Sequence, residues 1–253
     1  MTLLKPIITQ NFTGTIWRLE VDELTDTMVI EVRNEQDKQT SFASLNIQTG
    51  EIYFTDYKPH ERWLTGVECV YDNVVLLHQY RHESGPEHKA IIAVDAVTGH
   101  DLWSNYSLAF DHLSVNGPVV YNTSFQPKKL LLADIKTGLT NNGYNAAVNK
   151  PLDNSIVIPG ITSPEHFVPG SLPTEPYGNI VHYLDHNKYR IVSLHALENG
   201  QLQQLLFVIE GTDVIYSDLL NNAIQKLQPE AFVLHKNALI YIKNRNEIKV
   251  LSL

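Results

Sequence analysis

Four segments of this chain repeat one pattern, and that repeat constrains the fold more than any other feature. They read Phe42-Ala-Ser-Leu-Asn-Ile-Gln-Thr-Gly50, Ile91-Ile-Ala-Val-Asp-Ala-Val-Thr-Gly99, Leu130-Leu-Leu-Ala-Asp-Ile-Lys-Thr-Gly138 and Ile191-Val-Ser-Leu-His-Ala-Leu-Glu-Asn-Gly200. Each is an apolar run, then a polar residue, then a turn ending in glycine; the fourth is one residue longer. The polar column holds Asn46, Asp95, Asp134 and His195. Asn and Asp suit this place because their side chains bond the backbone of a following turn. Glycine suits the turn because it accepts positive φ without a Cβ clash. Strand-like runs follow three of the glycines: Ile52-Tyr-Phe54, Leu102-Trp103 and Leu205-Leu-Phe-Val208. The unit therefore contains a hairpin.

A second hairpin precedes each of these. The runs Met28–Val32, Val74–Tyr80, Val119–Phe125, Ile180–Leu184 and Ala238–Ile242 each follow a turn signal such as Asp72-Asn73 or Asn116-Gly117. Two hairpins make four strands, and four strands recurring every ~40–60 residues make a propeller blade. The expected fold is all-β: a single β-propeller of about five four-stranded blades, one domain over residues 1–253. The last repeat reaches only its third strand, Glu247–Leu253, which leaves a sheet edge to cover. The spare N-terminal run Pro6–Thr9 is expected to pair there and close the ring.

The second repeat, Ala93-Val-Asp-Ala-Val-Thr-Gly-His-Asp-Leu-Trp103, resembles the repeat of quinoprotein-like (PQQ-like) propellers. In that family Ala-x-Asp-x-x-Thr-Gly precedes a tryptophan that packs between neighbouring blades. The resemblance covers one repeat well, Asn46–Gly50 and Asp134–Gly138 in part, and the fourth repeat poorly. It implies a fold, and no quinone chemistry, since the calcium site and catalytic aspartate of the quinone dehydrogenases have no counterpart. The whole chain also resembles a bacterial family known only as a domain of unknown function.

Composition narrows the partners. The net charge is -9, so a phosphate backbone or an anionic membrane would repel the chain. No run nears the ~18 apolar residues of a membrane-spanning helix. The segment Met1–Pro6 lacks the basic-then-apolar pattern of a secretory leader. The lone Cys69 excludes an internal disulfide, and its apolar surroundings predict a buried, inert thiol. These features point to the cytoplasm, with neither nucleic acid nor membrane as partner.

One constellation follows from aligning the repeats. Trp17, Trp63, Leu113, Phe167 and Phe232 are expected to open the innermost strands. Two residues before four of these lie Glu61, Asp111, Glu165 and Glu230, with Thr15 in the fifth place. Arg62, His112 and His166 stand between acid and strand. Linkers into innermost strands ring a propeller's channel mouth, so these seven side chains are the expected ligand-binding set. The competing reading is that each acid bonds the amides of its own loop. A second candidate surface is the irregular, proline-rich insertion at about 139–178, which holds Pro151, Pro159, Pro164, Pro169, Pro173 and Pro176.

Histidines four apart, His78 with His82 and His182 with His186, would chelate zinc on a helix. On strands such residues stand ~13 Å apart, so neither pair predicts a metal site. No nucleophile elbow, phosphate loop or dinucleotide fingerprint is present. The expected function is non-enzymatic: a binding or scaffold propeller that uses its channel face for a protein or small ligand, without a cofactor. The enzymatic alternative is a hydrolase acting on a carbohydrate-like substrate with two of the four acids.

Overall fold

The computed structural model describes residues 4–167 and 172–253. The protein is all-β: five separate antiparallel sheets, with a single 3-10 turn at Pro164–His166 among the described residues. Among the described residues, no helix is long and apolar enough to cross a membrane. The chain forms two compact units, Thr13–Asn154 and a second that joins the N-terminal segment through Phe12 to Ser155–Leu253.

Strand β1 (Ile8–Asn11) belongs to the second unit. The Thr13–Asn154 unit holds three sheets, each built from four strands in chain order. The first is β2 (Thr15–Val21), β3 (Thr27–Asn34), β4 (Gln39–Asn46) and β5 (Ile52–Tyr57). The next is β6 (Thr65–Tyr71), β7 (Val74–Tyr80), β8 (His88–Asp95) and β9 (Asp101–Asn105). The third is β10 (Leu108–Ser114), β11 (Gly117–Asn122), β12 (Leu130–Ala133) and β13 (Thr140–Asn141).

The repeated turn has the chemistry its sequence implies. Asn46 Oδ1 accepts the amides of Gln48 and Thr49 at 3.0 and 2.9 Å. Asp95 Oδ1 accepts Val97 and Thr98 at 2.9 and 2.7 Å, and Asp134 Oδ1 accepts Lys136 and Thr137 at 3.1 and 2.8 Å. The aromatic residues after the first two of these turns dock on the turn that follows. The Trp103 indole donates to the Ile135 carbonyl at 2.9 Å and lies against Gly138, whose φ is +70°. Phe54 lies in the same way against Gly99.

Core residues of β7 and β8 alternate between two clusters, so both faces of these strands are buried. Val75, Leu77, Ile92 and Val94 pack with Val29 and Phe42 of the first sheet. Their neighbours Val74, Leu76, Ile91 and Ala93 pack with Leu108, Val120 and Ala133 of the third. A strand covered on both faces must be apolar at consecutive positions, which is why β7 and β8 read as unbroken hydrophobic runs. Cys69 is buried in this second cluster as a free thiol, and burial pushes its pKa well up, as its apolar setting predicts.

In the second unit, β14 (Ile156–Val157) precedes a five-stranded sheet of β15 (Gly160–Thr162), β16 (Val181–His186), β17 (Tyr189–Glu198), β18 (Gln201–Glu210) and β19 (Asp213–Asn221). The last sheet has the order β1, β22 (Glu247–Ser252), β21 (Ala238–Lys243), β20 (Val233–His235), β14. The N-terminal run pairs as its pattern suggests, with Ile8 opposite Val250 and Asn11 opposite Glu247. The two sheets share a core of Ile191, Leu206, Val208, Leu239, Tyr241 and Leu251. At its edge Asp218 binds Lys243 and Lys249, both at 2.7 Å, and the Tyr241 hydroxyl at 2.8 Å. Burial opposes the Asp218 charge, but these donors outweigh it and hold the carboxyl at about 2.

The structure departs from the expected pattern at His195, Leu113 and Phe167. His195, expected in the turn column, lies inside β17 opposite Gln204. There β17 and β18 extend to ten residues each, and Asn199-Gly200, with φ of 51° and 76°, makes the turn. Leu113 sits near the end of β10 and opens nothing, because that strand starts at the buried Leu108. Phe167 lies outside any strand: Pro164, Pro173 and Pro176 surround it, and proline donates no ladder hydrogen bond. The segment 139–178 supplies three short strands, β13, β14 and β15, to three different sheets. Pro169 lies outside the described residues.

Candidate functional site

The seven expected ligand contacts take different places relative to their strands. Glu61 lies in the loop before β6 and turns its carboxylate onto that loop, accepting the Trp63 amide at 3.3 Å. Arg62 donates to the Gln39 side chain at 3.1 Å. Asp111 lies within β10, where the register shifts between Phe110 and His112. It binds the His112 ring at 2.6 Å and the Lys128 ammonium. Burial alone would raise the Asp111 carboxyl, yet these two partners hold it below its usual range. In the other unit, Glu165 and His166 form the 3-10 turn, with His166 Nδ1 2.8 Å from the Thr162 hydroxyl. Glu230 precedes β20, and its backbone carbonyl accepts from Gln204 at 2.8 Å. Glu61 and Asp111 share no hydrogen-bond partner among the described residues.

A denser cluster lies on β6, β7 and β8 of the Thr13–Asn154 unit. The first strands of all three sheets carry a register shift, at Trp17 in β2, Glu68 in β6 and Asp111 in β10. A bulge of this kind re-aims the extra side chain. Trp17 is 57% exposed, whereas Glu68 is buried. A further shift lies between β7 and β8, where Leu77 faces Ile92 and Gln79 faces Lys89. That leaves His78 opposite the extra residues, and Ala90 takes up the slack at φ +62°.

These shifts bring Glu68, His78 and His88 together. His88 Nδ1 is 2.7 Å and His78 Nδ1 3.2 Å from the same oxygen, Glu68 Oε1. The two imidazoles stack, and the Tyr80 ring meets both edge-on. His78 is 1% exposed, and neither of its ring nitrogens has a hydrogen-bond partner in suitable geometry among the described residues. Gly66 faces His78, and a Cβ there would lie 2.8 Å from its ring. Burial would raise the Glu68 carboxyl, but the two facing imidazoles outweigh it and hold it below its usual range. Burial lowers His78 against the pull of Glu68. Two imidazole nitrogens and a carboxylate oxygen within 4.8 Å of one another are a donor set that can hold a metal ion.

Beside this cluster stands an arginine among aromatic rings. The Arg33 guanidinium is 5.2 Å from the Trp17 centroid, 5.3 Å from Trp63 and 5.7 Å from Tyr80. Its Nε donates to buried Glu31 at 2.7 Å, and Glu31 in turn accepts the Val67 amide at 2.9 Å. The rings, the guanidinium and a fixed carboxylate thus hold one another in place.

Sequence reasoning placed Trp17 and Trp63 at the entries to their sheets but missed Arg33 and the Glu68–His78–His88 cluster. The chain spacing of His78 and His82 predicts no site, and the neighbour of His78 in the fold is His88 on the next strand. The available signal was strand pairing: Val74–Tyr80 and the run ending at Asp95 are adjacent strands of one repeat.

A family model described as a domain of unknown function (DUF4905) matches residues 21–103, a span that includes Glu31, Arg33, Trp63, Glu68, His78 and His88. A comparison with curated protein sequences finds no match. Among solved structures, the chain is similar to BamB from Moraxella catarrhalis at 11% identity and TM-score 0.36, over 99% of this chain and 98% of that one. It is similar to the β-propeller domain of the Trilobed protease from Pyrococcus furiosus at 11% identity and TM-score 0.34, over 93% and 64%. A europium-containing methanol dehydrogenase matches at 12% identity and TM-score 0.30, over 94% and 52%.

Proposed function

We propose that this chain is a non-enzymatic binding propeller whose five sheets are blades, closed into a ring by the pairing of β1 with β22. The repeated Asx–Thr–Gly turns and the docking of Phe54 and Trp103 on successive turns support the blade reading. The ligand, a protein or a small molecule, would meet the face where the first strands of the sheets present their bulged residues.

The observation that carries this reading is Arg33 held among Trp17, Trp63 and Tyr80, with Trp17 largely in water. Tryptophan, tyrosine and arginine dominate binding hot spots because they offer large, rigid contact area. Here buried Glu31 pre-orients the arginine, which lowers the entropy lost on binding. Asp111 and His112 are the polar contacts of the same unit that suit this role, since they form an ion cluster with Lys128. The loop bonds of Glu61 support a turn-stabilising role for that acid instead. Arg62 is then a neighbouring rim residue, and Glu165, His166 and Glu230 would serve ligands of their own unit.

A ligand screen read by intrinsic tryptophan fluorescence, run on the wild type and on Trp17→Ala, tests this. Binders are expected to lose about tenfold or more in affinity in the variant, with an unchanged melting temperature. Ligands that bind both proteins equally, or turnover of a glycoside in a parallel activity screen, would overturn it.

A further inference from the structure

We propose that Glu68, His78 and His88 form a site for one divalent transition-metal ion of the zinc class, next to the aromatic group around Arg33, with which it shares Tyr80. The donors are two imidazole nitrogens and one carboxylate oxygen, the mixed set that zinc takes when one coordination position is left for an outside group. Hard ions such as calcium and magnesium prefer six or more oxygens and do not suit two imidazoles.

The donor atoms are already close together. Ligand atoms at ~2.0–2.2 Å from a tetrahedral zinc stand roughly 3.3–3.6 Å from each other. Glu68 Oε1 lies 3.2 Å from His78 Nδ1 and 2.7 Å from His88 Nδ1, and all three ligand atoms fall within 4.8 Å. To coordinate one ion the stacked imidazoles must also turn out of parallel, so that both Nδ1 lone pairs converge beside Glu68 Oε1.

A second observation points to a ligand at the same place. His78 is buried, and both its nitrogens lack hydrogen-bond partners in suitable geometry among the described residues. A buried polar group left so costs stability and calls for a partner. Its Nδ1 faces Glu68. The His88 side chain is 29% exposed, which provides a way in for the ion. The backbone around the cluster is irregular: two register shifts, the positive φ of Ala90 and the side-chain-free Gly66 lie beside these groups.

The test uses full-length protein treated with a chelator and then titrated with zinc chloride. Calorimetry is expected to show one zinc per chain at micromolar affinity or tighter. The melting temperature is expected to rise by about 5–10 °C at a hundredfold excess over Kd. Calcium and magnesium are expected to leave it unchanged. His88→Ala and the isosteric Glu68→Gln should each weaken zinc by about tenfold or more. Because a variant can lose its fold, histidine ring resonances of the wild type provide a second readout, with His78 and His88 shifting on zinc addition. The proposal is overturned by absence of saturable zinc binding, by unchanged affinity in either folded variant, or by zinc shifting other histidines and not these two.

Discussion

The imidazoles of His78 and His88 lie face to face on adjacent strands, with ring centroids 3.6 Å apart and planes 7° from parallel. Regular pairing of β7 and β8 would set Tyr80 opposite His88, as observed, and would leave the two rings staggered. The register shift between Leu77 and Gln79 slides His78 over its neighbour. The space for the ring comes from Gly66 on the opposite strand, β6.

Gly66→Ala tests that packing directly. The new Cβ would stand 2.8 and 2.9 Å from His78 Cε1 and Nε2, so the ring must move. Overpacking of this kind costs about 1–3 kcal/mol. Urea unfolding should show that loss, and zinc affinity should fall with it. A variant as stable as the wild type would mean that the His78 ring is free to shift.

Two glycines with similar backbone angles separate strain from docking. Gly138 has φ +70° and its Cβ would meet Trp103 at 2.6 Å, whereas Gly200 has φ +76° and open space around it. Gly200→Ala should cost only the backbone term, about 1 kcal/mol. Gly138→Ala should cost that plus about 1–3 kcal/mol for the displaced indole. Equal losses in chemical denaturation would show that Trp103 does not hold the β9 strand to the next turn.

Removing residues 1–12 takes β1 from the last sheet. Buried Ile8 and the bonds of Ile7 and Phe12 to Val250 and Asn246 go with it, and the edge of β22 is laid open. The expected loss is roughly 2–4 kcal/mol, seen as a melting temperature about 5–15 °C lower. An unchanged melting temperature would remove β1 as a structural element and with it the closure reading.

His195 makes stability depend on acid. Burial, then the charge of nearby His182, holds its imidazole at about 4, and its Nε2 accepts the Gln228 amide at 2.9 Å. In the unfolded chain the same ring titrates near ~6.5. Below that value the unfolded state binds the extra proton, so the contribution is complete above about pH 6.5 and is lost as pH falls towards 4. The difference is on the order of 3 kcal/mol. Urea unfolding between pH 7.5 and 4.5 should show a steeper decline in wild type than in His195→Gln, and parallel curves would exclude His195 as the source.

The sequence by itself determined what local chemistry decides. Alternating apolar runs, the Asn46, Asp95 and Asp134 turns and their glycines specify hairpins through bonds reaching two or three residues, so they are legible without the fold. The spare N-terminal strand was legible too, because an incomplete last repeat leaves an edge that needs a partner. What the tertiary structure alone decided is where strands slip out of register. A one-residue bulge is set by packing between sheets, and it turned Glu68 inward, left Trp17 outside and placed Asp111 mid-strand. For the same reason His78 met His88 and Glu68, which lie ten residues away on either side in the chain. Their approach depends on strand pairing, on a missing Cβ at Gly66 and on the backbone of Ala90, none of which a spacing rule along the chain records.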